Sequence, residues 1–493
     1  MHPDPVAFAV FLAFFLLVTV LGFVASRWKA ADLSHFNEWG LGGKRFGTWI
    51  TWFLLGGDLY TAYTVIAVPA LVYSVGAYGF FAVPYTILIY PFAYIVMARL
   101  WTVCHERGHM TAADLVHGTY AFRPLELAVA LTGIVATMPY IALQLVGMQA
   151  VFAALGLGQG HAPLFIAFLV LALYTYNSGL RAPAMIAFVK DAMIYIVVAA
   201  AVCIIPAKLG GYGAIFDAAG KAFEAKGGNT GLLLHPPQYL PYATLALGSA
   251  LALFMYPHSM TGILSASSER VIRRNMMILP AYSVVLGLIA LLGYMAIAAG
   301  IHASPANNVV PELFKAMFPP WFVGFAFAAI AIGALVPAAI MSIGAANLFT
   351  RNVWKPFVHP AMDSREEARV AKIVSTLTKV GALLVILVMP TQYAIDLQLL
   401  GGVCILQILP SVLFALYPKA GLKGPALFAG WLVGIVLGNW LASLTGKKPI
   451  YAFHIGGETY SLFIGLIALA ANGAVSVAGS WVGRMKGAAR SAV

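Results

Sequence analysis

The sequence predicts an all-α membrane protein of about thirteen transmembrane helices, with ten of them arranged as two inverted five-helix units. Three observations carry this expectation. Of the 493 residues, 61% are hydrophobic and 9% charged, and the mean hydropathy is +0.89, more apolar surface than a soluble core can hide. Thirteen apolar runs follow one another with short polar connections. Two of the runs are interrupted by glycine, proline and polar residues, and unwound backbone at membrane depth is tolerated only where it is buried in protein or lines a cavity.

In order, the runs cover 6 to 25, 47 to 76, 79 to 103, 124 to 155, 162 to 178, 182 to 206, 240 to 262, 278 to 300, 320 to 350, 373 to 390, 396 to 417, 424 to 445 and 460 to 483. The first lacks a basic leader and a small-residue cleavage site and is followed by Arg27 and Lys29, which suits a retained helix with its N-terminus outside. Counting from there, alternate connections hold most of the lysine and arginine, as at Arg270, Arg273, Arg274, Arg351, Lys355, Lys419 and Lys423. The opposite connections keep Lys208, Lys221, Lys226, Lys315, Lys447 and Lys448. By the positive-inside bias, this places the N-terminus outside and the C-terminus in the cytoplasm. The net charge of +12 is therefore a topology signal rather than a nucleic-acid footprint.

The expected organisation is an extra helix and cytoplasmic loop over 1–46, a first repeat over 47–206, an external loop over 207–239, a second repeat over 240–418, and extra helices over 419–493. Two five-helix units joined in this way lie in opposite orientations because five is odd. The two long external loops have room for short interfacial helices. Cys104, Cys203 and Cys404 have neither metal-ligand nor redox spacing and need only pack. The sequence contains no HExxH, no GxSxG with partners and no phosphate loop, so an enzyme is not expected.

One interrupted run is Leu54 to Pro69, where Gly56 and Gly57 remove side chains, Asp58 puts a carboxylate among apolar neighbours, and Pro69 removes an amide donor. A half-helix starting after such a break offers free amides and a positive dipole end to a small carboxylate. Tyr60, Thr61, Tyr63 and Thr64 add hydroxyls, and Gln144, Tyr256 and His258 are polar groups on other spans that suit the same site. Gln144 and Gln149 each have equal claim to a helix-to-helix hydrogen bond, and His258 equally suits the cytoplasmic interface. The second interruption is expected in the ninth run, at Gly333, Pro337 and Gly344. Lys379 and Asp396 lie near run ends and read as interfacial.

Several motifs occur in order: Gly179-Leu-Arg-Ala182, Lys190-Asp191 within the sixth run, Tyr256-Pro257-His258 before the basic Glu269 to Arg274 segment, Ala338-Ala-Ile-Met-Ser342, and Leu406-Gln-Ile-Leu-Pro410. Together they resemble the sodium:solute symporter family over nearly the whole chain, and within it the bacterial monocarboxylate permeases for lactate, pyruvate and alanine. The resemblance implies a LeuT-like five-plus-five inverted repeat, a site halfway across the bilayer, and alternating access. It also implies a sodium site formed by Gly57, Tyr60, Ala339 and Ser342, where relatives often place a further hydroxyl at the position that is Ile343 here.

Lys190 stands where the family commonly has threonine, and its ammonium can donate to the carbonyls that would otherwise hold sodium, with Asp58 or Asp191 as counter-charge. The expectation is thus symport of a short monocarboxylate across the inner membrane with a proton as coupling ion, no metal or other cofactor, and lipid and substrate as partners. Sodium-coupled symport of another small solute such as acetate or an amino acid is the alternative. A transporter-like sensor and a channel are further readings, separated by whether labelled substrate accumulates, binds without flux, or merely equilibrates.

Overall fold

A computed structural model describes residues 4–27, 32–158, 162–388 and 394–491. Lys29 and the end of the run at 373 to 390 lie outside the described residues. Among the described residues the regular structure is helical apart from one small hairpin, as in a multi-pass membrane protein.

The helices are α1 (Pro5–Val24), α2 (Phe36–Leu41), α3 (Thr48–Gly57), a π-helical turn at Tyr63–Ala67 leading into α4 (Val68–Val75), α5 (Ala82–Glu106), α6 (Ala112–Tyr120), α7 (Arg123–Ala154), α8 (Ala162–Ser178) and α9 (Arg181–Lys208). The connection after α9, expected outside, forms α10 (Gly211–Lys226). Then come α11 (Pro236–Leu253), α12 (Pro257–Leu264), the consecutive α13 (Glu269–Ile278), α14 (Pro280–Ala290) and α15 (Leu292–Ala298), and α16 (Val309–Met317) in the connection that follows. The rest comprises α17 (Pro320–Phe349), a π-helical turn at Thr350–Trp354 running into the single turn α18 (Lys355–Phe357), α19 (Ser364–Val388), α20 (Ala394–Leu406), α21 (Leu409–Ala415), α22 (Gly424–Leu444) and α23 (Ile464–Ser491). The antiparallel strands β1 (Ile450–Ile455) and β2 (Glu458–Phe463) turn through Gly456 and Gly457, both at positive φ, and separate the last two helices.

Among the described residues, eight helices are long and apolar enough to cross a membrane, or ten if each bent pair is one span. The expected second run is not one of these because it breaks after Gly57 into shorter pieces, and α8 is only 17 residues long. Exposed Leu16, Ile95, Val135, Ile166 and Val436 give the bundle an apolar outer face suited to lipid.

The second interruption falls elsewhere than expected. α17 is continuous through Gly333, Pro337 and Gly344, and every residue from Ala326 to Leu348 is buried. Pro337 removes one amide donor, but helices α1, α7, α9, α12 and α19 all pack against α17, and its small residues let them approach without interrupting it. The break lies instead between α11 and α12, a 48° bend immediately before Pro257. A third, of 42°, separates α20 from α21. Proline at the first helical position is a favourable start, so Pro257 begins a new helix rather than kinking an old one.

Candidate site at the helix breaks

The two glycines ending α3 admit two side chains from other helices. A Cβ on Gly56 would run into the Tyr282 ring, and one on Gly57 would lie 2.9 Å from Lys190 Nζ and 3.6 Å from Asp191 Oδ2. Lys190, on α9 and fully buried, donates to the Gly57 carbonyl and reaches that of Tyr60 at 3.4 Å. Its Nζ lies 2.9 Å from Asp191 Oδ1, while the Tyr282 hydroxyl donates to Asp191 Oδ2 at 2.7 Å. A buried ion pair survives in such a setting only when further hydrogen bonds satisfy it, and Tyr282 and the two carbonyls do so. Tyr282, on α14, was not marked by any sequence motif, and it also accepts from the Tyr60 hydroxyl through its carbonyl at 3.2 Å.

Asp58 does not join this pair. Its Oδ2 lies 3.3 Å from Nε2 of His258, the second residue of α12, so the first helix break is tied to the second. His258 is 1% exposed, which removes it from the interface position left open by its sequence, and its ring lies between those of Tyr140 and Tyr256 at centroid distances of 5.5 and 5.3 Å. Asp58 Oδ1 and His258 Nδ1 are buried without a hydrogen-bond partner.

Several polar groups expected to meet substrate are engaged in holding the break. Gln144 Oε1 accepts from the Ala62 amide at 2.9 Å and its Nε2 donates to the Tyr140 carbonyl at 3.2 Å. Thr61 Oγ1 accepts from the Tyr63 amide at 3.1 Å, and the Thr64 hydroxyl donates to the Leu59 carbonyl. Two of these bonds take the Ala62 and Tyr63 amides that an isolated half-helix would leave free, and a third meets the Leu59 carbonyl at the break. Gln149 is separate, lining an outer cavity with Asn307 and Asn308.

Tyr63 instead faces a cavity between the breaks, lined also by Tyr85, Tyr140, Ser249, Tyr256 and Gln398. Two of its polar atoms, the Tyr256 hydroxyl and Gln398 Oε1, are buried with no partner. Orphaned polar atoms of this kind are costly unless a ligand or water meets them. No sequence motif marks Gln398, which lies two residues after Asp396 near the start of its apolar run.

On α17, the Ser342 hydroxyl donates to the Ala339 carbonyl at 2.8 Å and accepts from Ser375 Oγ at 3.1 Å, while Ile343 is fully buried. Lys379 is not interfacial, being 2% exposed with Nζ 2.9 Å from Ser375 Oγ. Its spacing of one helical turn from Ser375 was the available signal. Among the described residues no group of three or more His, Cys, Asp or Glu side chains is placed to hold a metal ion.

Residues 39–434 match the model of the sodium:solute symporter family. A monocarboxylate transport permease protein of Rhizobium johnstonii is 63% identical over 472 residues, covering 96% of each chain. An uncharacterised symporter of Bacillus subtilis is 32% identical over 464 residues, covering 93% of this chain and 89% of that one. Among solved structures, a sodium-coupled sialic acid symporter in a substrate-bound outward-open state superposes with a TM-score of 0.79 over 97% of this chain and 98% of its own, at 14% identity, a likeness of fold.

Proposed function

The chain belongs to the sodium:solute symporter family, a family of secondary transporters rather than enzymes, and from that premise we propose that it imports short monocarboxylates such as lactate and pyruvate by alternating access. The observation that carries the reading is the tyrosine-lined cavity between the helix breaks, with Tyr256 and Gln398 presenting unpartnered polar atoms. A phenolic hydroxyl can donate to a carboxylate, and an amide can serve either a hydroxyl or a keto oxygen at the next carbon by offering its oxygen or its nitrogen. Tyr63 and Tyr256 are the substrate-facing residues of this proposal, with His258 packed behind them on the Tyr140 and Tyr256 rings. Gln144, Tyr60, Thr61 and Thr64 shape the break behind them. The relative that is a monocarboxylate permease supports the substrate class.

Family membership favours sodium as the coupling ion over the proton expected from Lys190, and sodium is the first reading here. Its seat would draw on Ala339 and Ser342, with the carbonyls of Gly57 and Tyr60. One observation favours a proton as the second reading: the Lys190 ammonium already lies on those two carbonyls, with Asp191 beside it. Asp58, paired with His258, belongs to the same coupling region in either case. The thirteen-span plan, the five-plus-five inverted repeat with the boundaries set out above, and an N-terminus outside with a cytoplasmic C-terminus complete the proposal. The paired breaks at Gly57 and Pro257 and the basic-residue bias support them.

The test is uptake of labelled lactate into proteoliposomes under an inward sodium gradient and, separately, an inward proton gradient. Accumulation driven by sodium alone supports the first reading, and accumulation driven by protons alone supports the second. Equilibration without accumulation under either gradient rejects symport.

A further inference from the structure

The tyrosine-lined cavity has one wall that comes from neither helix break. Phe463, the last residue of β2, lines it together with residues of α5, α7, α11 and α20. Among the described lining residues, Phe463 alone lies beyond α20 in the chain. The hairpin between α22 and α23 thus sends one side chain into the space bounded by the breaks. Burial along β2 follows from this, since Glu458, Thr459 and Tyr460 are exposed whereas Phe463 is 1% exposed.

Helix α11 fixes the ring in place. The Phe463 amide donates to Thr244 Oγ1 at 3.1 Å. A Cβ on Gly248, one turn further along α11, would run into the Phe463 ring, and so would one on Gly465. These two glycines therefore admit the ring, as glycine does where another group must approach the backbone closely. Phe463 meets α11 at Gly248, roughly 7.5 Å of helix axis before Leu253 ends it, whereas Tyr256 lies beyond that end at the bend.

The lining is also divided by polarity. The Tyr256 hydroxyl comes up to α20 at Gly401 and Gly402, where a Cβ would lie 3.5 and 3.9 Å from its oxygen. Gln398 precedes these glycines by about one helical turn and so shares that face of α20. The two unpartnered polar atoms, the Tyr256 hydroxyl and Gln398 Oε1, thus belong to one side of the cavity, while Phe463 offers only carbon. The volume of about 30 Å³ holds roughly two waters at about 10–15 Å³ each. In so tight a space an added methylene meets a wall.

We propose that Phe463 is a specificity-determining residue: its ring closes the end of the cavity away from Tyr256 and sets how long a monocarboxylate chain the protein accepts. With the carboxylate at Tyr256, an oxygen on the next carbon meets Gln398 and the remaining carbons run toward the ring. A carbon wall in that place discriminates by length rather than by charge, each extra methylene in a fitted apolar pocket counting for about 10–200-fold. This rests on the reading that the cavity takes short monocarboxylates.

The experiment measures how unbranched monocarboxylates from acetate to hexanoate inhibit uptake of labelled lactate by the purified full-length protein in proteoliposomes. The readout is the inhibition constant of each acid relative to that of acetate, which does not depend on how much of a variant folds. Phe463→Ala is expected to improve hexanoate relative to acetate by at least about tenfold. Phe463→Leu, a smaller change that stands in if the first variant fails to fold, is expected to move the ratio in the same direction by less. Tyr460→Ala, on the same strand but 45% exposed, is expected to keep the wild-type ratios. Wild-type ratios in the Phe463 variants overturn the proposal, and so does an equal shift in Tyr460→Ala, which would belong to the hairpin as a whole. Absence of lactate uptake by the wild type overturns this proposal and the monocarboxylate reading together, whereas unchanged ratios leave that reading standing.

Discussion

Lys190 and Asp191 illustrate how strongly single residues are bound into this interior. Asp191→Asn would leave an ammonium with two carbonyls and no counter-charge, and the expected loss is about 3–5 kcal/mol, measured as a fall in thermal unfolding temperature in detergent. Replacing both, Lys190→Met with Asp191→Asn, is expected to cost less than the single change, because no unpaired charge is left. Tyr256→Phe belongs to the same scale. Removing one donor to a carboxylate costs roughly 1.5–3 kcal/mol, so the KM for lactate should rise at least tenfold while the protein stays folded, read from initial uptake rates. Lys190 and Asp191 stand out in the sequence as charges in an apolar run. Their division of labour does not: whether Asp58 or Asp191 neutralises the lysine depends on which side of the break each faces, and the structure gives Asp58 to His258.

Among the elements, the breaks depend on what their glycines admit. Gly56→Ala would push a methyl into the Tyr282 ring and Gly57→Ala would press on Lys190 Nζ, so both are expected to abolish transport and lower the yield of folded protein. Gly287→Ala, whose Cβ would meet Val83 at 3.8 Å, an ordinary contact, is expected to be neutral or stabilising by about 0.5–1 kcal/mol. Size-exclusion profiles and uptake of the three variants make the comparison. The first break is legible because two glycines, an aspartate and a proline coincide in one apolar run. The second is not, since Pro257 and Pro337 look alike along the chain. Pro257 falls where α12 can start afresh, whereas Pro337 is held within a helix packed on all sides.

For the molecule as a whole, a polar network ties helices together at one end of the bundle. Arg351 bridges Asp114 on α6 and Glu367 on α19, and Asn352 donates to Asp114 and to Glu126 on α7. These bonds join four elements, and under the alternating access proposed above opening at that end would break them, so Arg351→Gln is expected to favour it. A cysteine placed at Met260, which lines a small cavity with Thr111 and Asn347, should then react faster with a membrane-impermeant thiol reagent applied from the side carrying Arg351. An unchanged labelling rate would mean that the network does not restrain opening.

What the sequence by itself determined is the membrane class, the number and order of apolar runs, the bias of their basic ends and the residue types at the first break. All of these follow from composition and periodicity along the chain. The tertiary structure alone decided which charge meets which, that Tyr282 belongs beside Asp191 and Tyr60, 91 and 222 positions away, that Gln398 lines a cavity with Tyr63 and Tyr256, and that Lys379 is buried against Ser375. The physical reason is that hydropathy records how much apolar surface a segment must hide, while the pairing of polar groups depends on which helix faces touch. Small residues such as Gly56 and Gly57 permit those contacts without announcing their partners.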